Sequence, residues 1–223
     1  MDPRIRRILS PDDEARIAGA VRAVEARTAG EVIPYVVAES GGYTAVSWKG
    51  ATLGALAAAA AAAIGHRVSE PWGGITLWIA LPPLAGGALG YLLALIAPLR
   101  RALAGRELLR LRVEDQAQKA FLETEAFATR ERTGILVFLS LFERRVVMLA
   151  DRGIHTRIPH ERWQQLADRV AAGVRDGHPA AALVEAIEAC GALLLEQGFA
   201  RRPGDVDELP DRLRTGPGED AGG

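Results

Sequence analysis

The chain has a single cysteine among 223 residues, Cys190, and no asparagine at all. A lone thiol forms no internal disulfide and by itself makes no metal site. Without asparagine there is no N-glycosylation acceptor. Lysine is confined to Lys49 and Lys119, and arginine carries the rest of the positive charge, a bias typical of a GC-rich bacterial genome. Basic residues number 27 against 28 acids, so charge balance gives nucleic acid no hold on this chain. Residues 1–10 lack an apolar run followed by a small-residue cleavage site, so no secretory signal peptide is expected and membrane entry falls to an internal segment. Catalytic signatures are missing as well. There is no Gly-x-x-x-x-Gly-Lys-Ser/Thr loop, no Gly-x-Ser-x-Gly elbow, no His-x-Glu or His-Glu-x-x-His spacing and no aspartyl-phosphatase nucleophile motif.

Charge is also absent from two stretches in the middle, between Gly50 and His66 and between Pro71 and Leu99. A bilayer core of ~30 Å needs about 20 mostly apolar residues per helix. The second run meets that length. The first does so when extended back to Thr44, with Lys49 reaching the headgroups. The polar turn around His66, Arg67 and Glu70 separates them, which predicts a two-helix transmembrane hairpin over residues 44–99. Trp48, Trp72 and Trp78 read as interfacial anchors, whereas Trp163 reads as core. Gly86-x-x-x-Gly90 and the small row Gly54, Ala58, Ala62 permit close helix contact, and Pro82-Pro83 should kink the second helix. No ionisable group lies within either span, which argues against transport. Arg100, Arg101, Arg106, Arg110 and Arg112 follow the hairpin, while its turn offers Arg67 offset by Glu70. The positive-inside rule therefore places both termini and the soluble region in the cytoplasm of a bacterial inner-membrane protein with two spans.

Around the hairpin the pattern is mixed α/β. Ser10-Pro11-Asp12-Asp13 opens a helix that ends near Arg27, and Glu31 opens a strand interrupted by Pro34, which suits an edge position or a local irregularity. A long amphipathic helix is expected from Gly105 to about Arg130. Residues 135–139 form a continuous apolar run, and residues 145–150 form a second, joined to the first by a tight turn. Helices follow from Pro159, with Trp163, Leu166, Val170 and Val174 inward, and from Pro179, with Leu183, Ile187, Cys190 and Leu194 inward. The long crossover favours parallel pairing of the first two strands, with the third antiparallel to the second. The expectation is a small three-layer α/β sandwich with the hairpin inserted. Residues 1–43 begin the α/β domain, residues 44–99 form the hairpin, residues 100–199 complete the domain, and residues 200–223 are a disordered tail.

Three segments carry a family resemblance: Thr28-Ala29-Gly30-Glu31, residues 130–140 around Thr133-Gly134, and residues 143–154 with Asp151-Arg152-Gly153. In these the chain resembles the TPM domain family, which includes thylakoid-lumen proteins of photosystem repair and many bacterial membrane proteins. The resemblance implies an α/β sandwich, divalent-metal binding in some members and acid phosphatase activity in some. This chain differs from the plant members in carrying a membrane hairpin inside the domain.

Glu31 and Asp151 are the candidate metal ligands. Parallel first strands and an antiparallel third bring both to one end of the sheet, where two carboxylates could hold Ca²⁺ or Mg²⁺ with waters and main-chain oxygens. Alternatively, each could merely cap a neighbouring helix or pair with Arg130, Arg132 or Arg152. His155 follows Asp151 and reads as a surface histidine. The leading expectation is a membrane-anchored protein, partnered by the lipid bilayer through residues 44–99, whose cytoplasmic domain binds a divalent cation or a membrane-protein partner in assembly or maintenance of a membrane complex. A metal-dependent acid-phosphatase-like hydrolase and an interaction module without a site are the alternatives.

Overall fold

The computed structural model describes residues 2–68, 75–129, 131–202, 209 and 212–216. Trp72, Arg130 and much of the expected tail lie outside the described residues. Two compact units are present, one formed by residues 1–41 and 110–223, the other by residues 42–109.

The first unit is an α/β sandwich. A short helix α1 (Pro3–Arg6) precedes α2 (Pro11–Glu25). The start of α2 follows from its sequence: the Ser10 hydroxyl accepts from the Asp13 N–H while the Asp13 carboxylate accepts from the Ser10 N–H, a complete capping box. Strand β1 (Glu31–Val37) pairs in parallel with β2 (Gly134–Ser140), which pairs antiparallel with β3 (Arg145–Ala150). Every residue of β1 and β2 is buried. That accounts for their uninterrupted apolar runs, because both faces of these strands are covered. On one face Val32, Val36, Ile135, Val137 and Leu139 pack with α2, α8 (His160–Arg175) and α9 (Pro179–Glu196). On the other, Ile33, Tyr35, Leu136 and Phe138 pack beneath Val113, Ala117 and Ala120 of α6 (Arg106–Glu123). The Tyr35 and Phe138 rings stack there at 5.7 Å.

Three details depart from the sequence expectation. The crossover helix α6 ends at Glu123 rather than near Arg130. There the Thr124 hydroxyl donates back to the Ala120 carbonyl at 2.7 Å and Glu125 takes a left-handed φ of 52°, which halts the helix. A one-turn helix α7 (Arg152–His155) follows β3. Beyond Arg201, where composition predicts disorder, β4 (Arg214–Thr215) adds to the outer edge of β1, giving the order β3-β2-β1-β4. Strand addition uses main-chain hydrogen bonds, which composition does not reveal.

The second unit holds α3 (Thr44–Val68), α4 (Ile75–Ala94) and α5 (Ala97–Ala104). Helices α3 and α4 are long and apolar enough to cross a membrane. Only 11% and 6% of their apolar windows are buried, which separates them from core helices of a water-soluble fold. Gly54 faces Gly86 and Gly90, and Gly50 faces Gly90 and Ala94, so closely that an added Cβ would strike the opposite helix. Pro82 and Pro83 lie inside α4. The Arg100 guanidinium of α5 lies over the Tyr43 ring at 5.8 Å.

A Cβ on Gly134 would collide with the Ala126 carbonyl, whereas one on Gly19, within α2, would meet nothing. Gly134→Ala should therefore cost about 1–3 kcal/mol by overpacking, and Gly19→Ala should raise stability by roughly 0.5–1 kcal/mol, both read from denaturant melts. Burial pushes the Cys190 thiol up to about 12 from 9.0. Burial and then the Glu123 carboxylate push the Tyr35 phenol up to about 12 from 10.0. Both groups hold their protons more tightly folded than unfolded, so their contribution is complete below pH 9 and is lost as pH rises toward 12. The melting temperature should fall progressively above pH 9, and less steeply in Tyr35→Phe.

Candidate functional site

The parallel register sets Glu31 beside Gly134, and the Asp151 N–H donates to the Gly134 carbonyl at 2.9 Å. Glu31, Gly134 and Asp151 thus lie side by side across one end of the sheet. By the alternation of strand side chains they share the α6 face with Ile33, Leu136 and Leu149. Two strand spacings separate the Glu31 and Asp151 backbones, roughly 9–10 Å. Between them Gly134 offers no side chain, and the Ala126 main chain occupies that space. A side chain at position 134 would therefore strike the Ala126 carbonyl, whose oxygen lies between the two acids.

Both carboxylates are largely buried, Glu31 at 8% exposure and Asp151 at 9%. Glu31 accepts a hydrogen bond from the Leu209 N–H at 3.3 Å. Asp151 Oδ1 accepts from the Arg152 N–H at 2.6 Å and so caps α7. Its other oxygen, Oδ2, is buried and accepts no hydrogen bond among the described residues. Arg132 Nη1 lies 3.8 Å from it, on a side chain 57% exposed, a pairing of little strength. Arg132 holds a left-handed φ of 56° and its carbonyl accepts from the Gly153 N–H at 3.0 Å, which ties this loop under α7. Of the alternatives the sequence leaves open, capping and the Arg132 contact both occur at Asp151, while Arg130 lies outside the described residues. His155 is exposed, with its ring 6.4 Å from that of His160.

The donor set can be weighed against a cation directly. Among the described residues no group of three or more His, Cys, Asp or Glu side chains comes together. Two carboxylates with a main-chain oxygen are too few for an all-protein cage. They suit a hard cation that keeps much of its water shell, and the orphaned Asp151 oxygen is the kind of acceptor such an ion would satisfy.

Sequence reading missed a second buried polar cluster, at the opposite end of β1. The Glu143 carboxylate accepts from the Ser40 N–H at 2.9 Å and from the Ser140 hydroxyl, and the Ser40 hydroxyl donates to Ser140 Oγ at 2.8 Å. Glu39 beside it is 3% exposed and lies 3.3 Å from Arg4 Nη1. The group clasps the segment after β1 to the β2–β3 hairpin. A serine ending an apolar strand with glutamate three residues on was its only signal.

Residues 106–193 match the family model described as the TPM domain. That segment contains Asp151 and excludes Glu31. The whole chain is similar in fold to the NMR structure of BA42 protein from the psychrophilic bacterium Bizionia argentinensis, at 18% identity and a TM-score of 0.56, with 93% of this chain and 95% of that chain covered. No curated protein matches the chain.

Removing the Glu143 carboxylate strands the Ser40 N–H and the Ser140 hydroxyl in a buried site. Glu143→Ala should cost about 1–3 kcal/mol or more, with Ser140→Ala milder, as measured by urea unfolding.

Proposed function

We propose that this chain, whose residues 106–193 match the TPM domain model, is a membrane-anchored TPM protein whose α/β unit takes up a divalent cation, Ca²⁺ or Mg²⁺, between Asp151 and Glu31. The observation that carries this reading is Asp151 Oδ2, buried and accepting no hydrogen bond among the described residues while a second buried carboxylate stands on the same face of the same sheet end. A buried acceptor left unmet costs free energy, and a cation removes that cost. The resemblance to metal-binding members of the family points the same way. Waters would fill most of the coordination shell, and the Arg132 side chain, being exposed, is free to swing aside.

In this reading α3 and α4 anchor the protein in the bacterial inner membrane. The arginines after the second span, among them Arg100 and Arg101, favour a cytoplasmic α/β unit. The bound cation would hold Arg132 and Thr133, just before β2, against the start of α7, for a membrane-protein partner in assembly or maintenance of a complex.

The test is the melting temperature of the full-length chain in detergent, titrated with Ca²⁺ and with Mg²⁺. A cation at ~100 times its Kd stabilises the native state by about 2.7 kcal/mol, a shift of several degrees. Asparagine caps helices as well as aspartate, so Asp151→Asn should keep the metal-free melting temperature and lose the shift, as should Glu31→Gln. An unshifted wild type, or a shift that survives in both variants, would sink the proposal.

A further inference from the structure

The two edges of the sheet are finished differently. On β1 the Glu31 N–H bonds to the Thr133 carbonyl at 3.1 Å, on the β2 side. By alternation Ile33, Tyr35 and Val37 also bond toward β2, and Val32, Pro34 and Val36 turn outward. Each outward N–H is provided for. The Val32 N–H donates to the buried Glu25 carboxylate at 3.0 Å, Pro34 has no N–H to satisfy, and Val36 pairs with Thr215 of β4.

On β3 the same reasoning leaves groups open. The Asp151–Gly134 bond sets the phase of the antiparallel ladder, so Val147 and Leu149 bond to β2 while Val146, Met148 and Ala150 turn their N–H and C=O groups outward. Strand β3 ends the sheet, and none of these three makes an outward hydrogen bond among the described residues. A groove of about 290 Å³ runs beside it, walled by Glu114 and Gln118 of α6 and by Trp163 and Gln164 of α8. Trp163 is 2% exposed, and its indole N–H is buried without an acceptor among the described residues. An unsealed strand edge and an unmet donor in the groove wall mark a surface built to be covered.

We propose that the occupant is a second copy of this chain, joined β3 to β3 in antiparallel fashion about a two-fold axis at Met148. The strand is self-complementary in that register. Met148 faces its own equivalent and Val146 faces Ala150 of the second copy, so all three outward-turned residues enter the new ladder. Val147 faces Leu149 of the second copy, closing two apolar side chains that a single copy leaves partly exposed. At the ends Arg145 stands opposite Asp151 of the second copy, whose carboxylate is largely buried, so opposite charges are brought near one another twice by the symmetry. An unrelated peptide would gain the main-chain bonds without that doubled charge match. The pairing does not require a bound cation, and its measurements are made without added metal because both would draw on Asp151.

Sedimentation of the full-length chain in density-matched detergent tests it. The wild type should run as a dimer, and Val147→Lys should run as a monomer with unchanged circular dichroism, which also separates this interface from association through the apolar helices. In a Cys190→Ala background, copies carrying Val147→Cys should form disulfides when mixed with copies carrying Leu149→Cys, because non-hydrogen-bonded partners lie about 4.5 Å apart, within disulfide reach. Neither preparation should crosslink alone. A monomeric wild type overturns the proposal and leaves the edge to a foreign strand. A dimer that survives Val147→Lys, or equal crosslinking within single preparations, overturns it also. Should Val147→Lys not fold, the crosslinking pattern decides.

Discussion

Parallel pairing of β1 with β2 is the constraint on which the rest of the α/β unit depends. Parallel neighbours cannot be joined by a tight turn, so the chain must leave β1 at Val37 and return to Gly134 at the other end of the sheet. That requirement creates the crossover in which the apolar helices and α6 are strung. It also buries both faces of both strands, since α6 covers one and α2, α8 and α9 the other. The same pairing brings Glu31 alongside Gly134. The antiparallel return of β3 then delivers Asp151 to the other flank of that glycine.

Gly134 is the point where fold and site share one atom-scale requirement. The turn after α6 lays the Ala126 main chain directly on it, and any side chain would push α6 away from the strands it covers. The close approach separates two buried acids with a carbonyl group between them. Leu209 N–H and Arg152 N–H already use one oxygen of each acid. The oxygen left over on Asp151 is what gives this end of the sheet a capacity the packing alone does not explain.

The elements themselves were largely legible. The Ser10-Pro11 start, the stripes of α8 and α9, the buried runs of β1 and β2, and the tight β2–β3 connection all state their roles within a few residues of themselves. Even Pro34 announces that its strand has a side where no donor is wanted. Less was legible where a partner lies far along the chain. Glu25 reads as one more acid at a helix end, yet it closes the edge of β1 at Val32. Ser40 lies about a hundred positions from Ser140 and Glu143, and the three become a cluster only when strands β1 and β2 lie together. Arg214 and Thr215 sit in a Pro- and Gly-rich stretch with no strand pattern, because an edge pairing needs only main-chain groups and an open neighbour.

What the sequence determined by itself, then, is which segments are helix or strand, which faces are apolar, the α/β class, and the existence of two helices apolar enough for a bilayer. Those properties come from periodicity, caps and composition, all local. What only the tertiary structure decided is how each carboxylate is partnered, which glycine a backbone must press against, and which sheet edge is sealed. Hydrogen-bond phase and burial belong to pairs of segments, so no single segment's pattern contains them. The two edges of this sheet show the difference most plainly: β1 and β3 are both apolar strands in sequence, and only their neighbours make one closed and the other open.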